Sequence, residues 1–316
     1  MSAVIDIHPH VIADDTKRYP RSPLSGRQSD WSLERPVGLE RMIAAMDEAG
    51  VAKAALVQAS TCYGHDNSCL ADAVAANPER FTGVFSVDVL QRDAPERIDY
   101  WMSKGLTGLR VFIAGHTAAA KDARLDDRRS FPAWEFAGRA GIPVCVQLRA
   151  AGLPQLVTVL ERFPRVRVIL DHMARPAIAD GPPYAAAASL FSLARHGNLY
   201  LKLTTHNVRE SRAGKATPQS FFARVVGEFG ASRIAWGSNF PASEGSLPGL
   251  LAEARSALAA LPNRDRDWIF FRTAQSLYPA LAGHEEKSRA GPAAMPKTKF
   301  IIRESGSSNP TKKEGR

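Results

Sequence analysis

The sequence predicts an α/β protein built as a (β/α)8 TIM barrel over residues 1–282. Three observations carry this prediction. Short apolar runs recur along the chain, amphipathic stretches fill the gaps between them, and no glycine-rich phosphate loop follows the first run, as a nucleotide-binding doubly wound sheet would carry. The runs are Val4–Ile7, Ala54–Gln58, Gly83–Asp88, Gly108–Ile113, Pro143–Leu148, Val166–Asp171, Leu199–Leu203 and Ile234–Gly237. Most are continuously apolar, as expected of parallel strands covered by helices. Between the first two, Leu39–Ala49 places apolar residues at 39, 42, 43 and 46, one face of a helix. Cys69–Ala76, Ala94–Lys104, Phe131–Ala140, Leu153–Phe163, Ala185–Arg195 and Pro218–Phe229 fill the later gaps. Gly50, Gly105 and Gly141 stand where helix ends need a stop. A long polar stretch, Asp14–Pro36, follows the first strand and reads either as a lid or binding loop or as a flexible insertion with no role.

The barrel closes with a helix over Asp267–Ala282. Residues 283–316, rich in Lys, Pro, Gly and Ser with one apolar patch at Phe300–Ile302, read as a basic disordered tail. That tail holds eight Lys or Arg against four Glu, +4 of the net +9, so the barrel keeps only a modest excess of +5. No basic run is interleaved with aromatics, which excludes a nucleic-acid platform. Scattered arginines fit a small anionic substrate instead. No apolar run approaches the roughly 18 residues that span a bilayer, and no basic-then-apolar leader opens the chain. Cys62, Cys69 and Cys145 are odd in number and lack a CxxC pair, so the expectation is a reducing compartment, the cytoplasm, without disulfides. A homo-oligomer is left open.

In a barrel of this kind chemistry sits at the C-terminal ends of the strands. The residues there are His8 and His10, then Gln58, Asp88, Arg110 or Phe112, Gln147 and Arg149, Asp171 and His172, Lys202 and His206, and Ser238-Asn239. Alternation along the first strand turns His8 and His10 the same way, so they can grip one ion or line one pocket. Three histidines from two strands converging on one mouth favour a site over a bland core.

With those residues in place, the chain resembles the amidohydrolase superfamily. The resemblance is to the amidohydrolase-related (family 2) branch, which includes 2-pyrone-4,6-dicarboxylate hydrolase and fuconolactonase-like sugar lactonases. It spans about residues 3–281 and rests on six motifs in order: Ile5-Asp6-Ile7-His8-Pro9-His10; Val57-Gln58 with Tyr63-Gly64-His65-Asp66-Asn67; Gly105-Leu106-Thr107-Gly108-Leu109-Arg110; Leu170-Asp171-His172-Met173-Ala174-Arg175-Pro176; Leu199-Tyr200-Leu201-Lys202-Leu203; and Trp236-Gly237-Ser238-Asn239-Phe240-Pro241. The resemblance implies a hydrolase, metal-dependent or metal-independent, that opens small cyclic esters. By the same token His8 and His10 are strand-1 ligands or oxyanion-stabilising groups, and His172 polarises the scissile carbonyl.

Asn239 stands at the position of the strand-8 acid that serves as general base. This is a departure, because an amide orients water but cannot take its proton. Strand 5 offers Gln147 and Arg149 where metal-rich relatives carry His, and strand 4 has no lysine to bridge two metals. A binuclear centre is therefore not expected. One divalent ion (zinc or manganese) on His8, His10 and His172, or no metal at all, both stay open.

Asp171 could orient His172 and raise its basicity, or be a structural carboxylate that caps the strand end. His206 is a second candidate in the search for a base, or a solvent-exposed loop histidine. Arg110, Arg149 and Arg175 suit a carboxylated lactone, since guanidinium forks bind carboxylates bidentately. Gln58, Tyr63, Asn67 and His206 complete the expected substrate contacts, and His65 could reach substrate from its loop. His116, His196 and His284 read as surface residues. Two alternatives accompany lactone hydrolysis: metal-dependent decarboxylation of an aromatic acid, and a non-catalytic barrel that binds a small acid. Asn239 argues against the first and keeps the second alive.

Overall fold

The computed structural model describes residues 3–24, 26–112 and 124–282. His116, His284, the Phe300–Ile302 patch and the rest of the basic tail lie outside the described residues. Eight strands follow one another as β1 (Val4–Asp6), β2 (Val51–Val57), β3 (Phe81–Ser86), β4 (Gly108–Phe112), β5 (Val144–Gln147), β6 (Val168–Leu170), β7 (Leu199–Thr204) and β8 (Ile234–Gly237). Each pairs in parallel with the next, in sequence order. The ring closes where Ile7 N donates to Trp236 O (3.2 Å) and His10 N to Phe240 O (2.8 Å). Asp6 fastens the same seam: its Oδ1 accepts from His8 N and from Ser238 N, both at 2.9 Å.

Two apolar layers hold the barrel. Ile5, Ile7, Ala55, Val57, Val84, Cys145, Ile169 and Ala235 fill the lumen, which Leu277, Tyr278 and Leu281 plug from the N-terminal end. A Cβ at Gly108, the first residue of β4, would lie 2.9 Å from Tyr278 Cε1, so the plug needs glycine there. The larger layer lies between the strands and the helices, with Phe85, Leu109, Trp134, Leu156, Leu201, Phe221 and Trp236 among its buried members.

Helices Leu39–Ala49, Phe131–Ala140 and Pro218–Phe229 occupy the spans expected from their apolar stripes. Elsewhere the chain departs from regularity. Ala185–Arg195 breaks into three short turns. The closing helix is interrupted by a π-turn at Trp268–Arg272 and ends at Leu277, with Tyr278 as its cap before Pro279. Leu247–Ala257 is an additional helix, capped by Ser246 Oγ on Gly249 N (3.3 Å). The polar stretch after β1 contains a short helix, Asp30–Glu34, that carries Trp31 over the barrel mouth. Strand β1 stops at Asp6 rather than Ile7, because the Asp6 carboxylate captures the His8 amide and bends the chain. His8 and His10 therefore follow the strand instead of ending it, yet their rings remain neighbours, with centroids 5.0 Å apart.

Candidate active site

The C-terminal mouth holds a cavity of about 270 Å³. His10, Trp31, Ser60, Thr61, Arg110, Phe112, Gln147, His172, Arg175, His206 and Asn239 line it, with Ala59 and Ala242. No carboxylate is among these lining residues. Behind it, His8 is fully buried, its ring 4.9 Å from that of His172.

Asp171 organises the floor. Its Oδ1 meets Lys202 Nζ at 2.8 Å and its Oδ2 meets Arg110 Nε at 3.1 Å. Burial alone would push this carboxyl up, but Lys202 and Arg110 hold it down at about 2. Arg110 also donates to Gln58 O (3.3 Å) and to Gln147 Oε1 (3.1 Å), so three strand ends fix its guanidinium.

The imidazoles are neutral, and their partners set their tautomers. Burial, then Arg110, lowers His10 to about 3. His10 Nδ1 lies 2.8 Å from Val57 O, which can only accept, so Nδ1 carries the proton and Nε2 the lone pair. Burial also takes His172 well below its ordinary value. His172 Nδ1 sits 2.8 Å from Thr204 Oγ1, whose own proton goes to Asn207 Oδ1 at 3.3 Å. His172 Nδ1 is thus a donor as well, and Nε2 is again the basic nitrogen. His8 is held well below its ordinary value by burial and then by Lys202, and neither of its ring nitrogens has a hydrogen-bond partner. His206, half-buried 5.2 Å from the His172 ring, is lowered to about 4 by burial and by Arg175.

His172 stands on an unusual turn. His172, Met173, Ala174 and Arg175 all take positive φ, from 51° to 59°. Left-handed backbone costs L-residues roughly 1–2 kcal/mol each, so the surrounding structure must over-determine this segment. Asn207 Nδ2 donates to His172 O at 2.8 Å, and Arg175 grips Glu210 Oε1 through Nε (3.1 Å) and Nη2 (2.9 Å). The turn delivers both His172 and Arg175 to the cavity. Asn239 has positive φ too, and its Nδ2 donates to Ser243 Oγ at 3.0 Å.

Of the residues named from the sequence, His10, His172, Asn239, Arg110, Arg175 and His206 are brought together around the cavity. His8 lies behind them. Gln58, Tyr63 and Asn67 spend their side chains on neighbouring loops and on the end of β3. Gln58 Nε2 donates to Gly64 O (3.2 Å) and Asp66 O (2.7 Å). Asn67 bonds His65 O, Ser86 O and Ser86 N. The Tyr63 hydroxyl meets Ala13 N (3.0 Å) and Arg21. Arg149 is exposed and is not among the lining residues, though its charge reaches His206. His65 is tied to Ser86 Oγ at 3.0 Å. Sequence reasoning missed Trp31, Thr204 and Asn207. The Thr204-Thr205-His206-Asn207 step after β7 is a capping box and could have signalled the last two.

The amidohydrolase family model matches residues 5–280 of the chain. The chain belongs to the amidohydrolase family. The amidohydrolase is 28% identical over 247 residues to an L-fucono-1,5-lactonase of Burkholderia ambifaria, covering 77% of this chain and 82% of that one. It is 26% identical over 218 residues to a 4-sulfomuconolactone hydrolase of Rhizobium radiobacter, covering 65% and 66% of the two chains. In fold it is similar to a Pseudomonas putida protein classed as a 2-pyrone-4,6-dicarboxylic acid hydrolase, with TM-score 0.72 and 21% identity over 90% of this chain and all of the other. A dihydroxybenzoic acid decarboxylase of a Polaromonas species, crystallised with manganese, shares the fold at TM-score 0.63 and 18% identity, covering 90% of this chain and 98% of the other.

The donor set of this amidohydrolase does not fit a resident divalent metal. Among the described residues no three His, Cys, Asp or Glu side chains are disposed to hold an ion together. Gln147 and Asn239 supply amides at the ends of β5 and β8, and both oxygens of Asp171 are engaged by Lys202 and Arg110. The mouth is already cationic.

Proposed function

We propose that this amidohydrolase opens a small carboxylated lactone by direct attack of water, without a resident metal. One observation carries the reading: His10 and His172, both neutral and with Nε2 basic, face a cavity lined by Arg110 and Arg175 and by no carboxylate. The two lactone-hydrolysing relatives support the reaction class. The cationic lining supports the anionic substrate.

The steps follow from the residues. A substrate carboxylate docks on the Arg175 guanidinium through Nη1, since Glu210 holds Nε and Nη2, and the lactone carbonyl turns toward Arg110. Water sits against the Asn239 side chain, which orients it without taking its proton. An imidazole Nε2, of His172 or His10, accepts that proton as the oxygen attacks the carbonyl carbon. The developing oxyanion is stabilised by the guanidinium cations. Collapse breaks the ring C–O bond, the imidazolium returns its proton to the leaving oxygen, and a hydroxy-acid leaves.

Both imidazoles are weak bases before substrate binds, because burial and neighbouring cations disfavour their charged forms. An anionic substrate offsets that positive field and raises their basicity when it binds. This reading moves His172 from polarising the carbonyl to accepting a proton, since a neutral Nε2 has no hydrogen to donate. Cys62, Cys69 and Cys145 are free and buried.

The test is acid release from a panel of carboxylated and sugar lactones, with and without chelator. Hydrolysis of a carboxylated lactone that chelator leaves unchanged is the expected result. Silence on every lactone, with carbon dioxide released from a dihydroxybenzoate or with binding alone, overturns it.

A further inference from the structure

A second cavity lies toward the opposite end of the barrel from the mouth, and the proposed reaction makes no use of it. It has a volume of about 650 Å³ and is lined by residues of the helices Phe131–Ala140 and Leu153–Arg162 and of the loop that leads into β6. That loop precedes its strand, which places the cavity toward the N-terminal face. Trp134, Phe163 and Val166 form its floor. All three are buried, and the two aromatic rings stack with centroids 6.0 Å apart. Arg139, Arg162 and Arg165 stand exposed around the rim. Among the described lining residues, Glu135 is the one carboxylate.

Arginines on the adjoining segments are paired, Arg129 with Asp127 at 2.7 Å and Arg195 with Glu161 at 3.9 Å. The three cavity arginines meet no carboxylate among the described residues. Two of them are held by rings instead. Arg162 Cζ lies 4.5 Å from the centre of the Phe131 ring and 5.7 Å from that of Phe163, and Arg139 Cζ lies 5.9 Å from that of Phe136. Stacking of this kind steadies a guanidinium while leaving its N–H groups free to bind. Helix dipoles account for part of the charge, since Arg139 and Arg162 stand in last turns. Arg165 lies beyond both helices and has no such role. A second, independent observation is Trp134 Nε1, which is buried without a hydrogen-bond partner, where a buried donor is ordinarily paired. Every polar side chain of the lining except Glu135 is thus an unused donor.

We propose that this cavity binds a multiply charged oxyanion carried on a flat apolar body. Three guanidiniums against one carboxylate leave a charge of +2 at the rim, which a single negative charge does not neutralise. Guanidinium forks match carboxylate and phosphate oxygens alike. A bare phosphate would leave the apolar floor and most of the volume unused, since cavities of roughly 300–1,000 Å³ hold ligands of drug size. A nucleoside phosphate and an aromatic polycarboxylate both have this chemistry. The inference is independent of the lactone reaction, which belongs to the other end of the barrel.

The experiment is calorimetric titration of the full chain at low ionic strength, where exposed charges are least screened, with ATP, benzene-1,3,5-tricarboxylate and inorganic phosphate. The mouth is cationic as well, so substitution rather than binding alone locates the site. Arg139→Gln, Arg162→Gln and Arg165→Gln are made singly and together, and Arg224→Gln, at an exposed arginine paired with Glu228, serves as the control. Saturable binding of ATP or of the tricarboxylate is expected, and whichever binds more tightly identifies the carrier. Each single substitution should weaken it about twofold to fivefold, the scale of an exposed ion pair. The triple variant should lose one bound ligand per chain, and the control none. All four positions are exposed, and Arg162→Lys, which keeps the charge, should retain most of the binding. Neither ring-bearing anion binding overturns the proposal, as does a triple variant that loses no ligand. Inorganic phosphate bound as tightly as the other two would refute the apolar body. None of these readouts needs turnover, so a chain silent on every lactone leaves them decisive.

Discussion

Acidification should cost this barrel stability through His10 in particular. The imidazole is buried, and burial with Arg110 lowers it from 6.5 to about 3. A histidine lowered by folding binds its proton more readily in the unfolded chain. Between these two values the unfolded state therefore carries more protons, and stability rises with pH. Going from pH 7 to pH 4 removes about 3 kcal/mol, the free energy of protonating an ordinary histidine that stays neutral when folded. Urea unfolding of wild type and His10→Gln at both pH values isolates this contribution. His8, His172 and His206 titrate in both proteins and drop out of the difference. So does Asp6, raised by burial to about 6, which works in the opposite direction: its contribution is present at low pH and lost as pH rises through 6. Wild type should lose about 3 kcal/mol more than the variant over this range. Parallel losses would refute the claim that folding holds His10 neutral.

Asn207→Ala removes the donor to His172 O and the acceptor for Thr204 N, leaving buried groups unpaired at about 1–3 kcal/mol each. It should lower kcat with little change in KM, and Asn207→Asp, which restores only the acceptor, should recover part of the loss. Equal damage in both variants would reduce Asn207 to a folding role. Gly237→Ala would place a Cβ 2.5 Å from His8 Cβ and should cost about 1–3 kcal/mol, seen as a lower Tm. An unchanged Tm would mean that the seam between β1 and β8 yields.

Much of the barrel was legible because its signals are local. Val144–Gln147 and Ile234–Gly237 are buried on both faces, and Leu39–Ala49 carries a clean stripe closed by Gly50 in the left-handed conformation. Boundaries shifted where side chains intervened, as at Asp6, whose carboxylate ends β1 early. The site was legible as far as strand order brings residues together: His10, His172, Arg110 and Asn239 follow from position at strand ends. The Asp171–Lys202 pair depends on which way two neighbouring strands turn their side chains inside the lumen, and residue order alone does not fix that. Nor does the sequence reveal that Gln58 is consumed by the loop after β2, Asn67 by that loop and the end of β3, and Tyr63 by Ala13 and Arg21 of the preceding loop, because most of the competing partners are backbone carbonyls and amides with no signature.

The bond from Ser238 N to Asp6 Oδ1 joins residues 232 positions apart, and the same oxygen holds the amide of His8. On the ribosome β1 emerges first and waits for β8, so the catalytic mouth cannot be assembled until nearly the whole barrel has been made. One carboxylate oxygen thus couples completion of the chain to placement of its first histidine. An unfinished barrel is left with its β1 edge unpaired and its imidazoles unplaced, so it presents an inert surface to a lactone. Activity and ring closure should therefore appear together during refolding, as a single event.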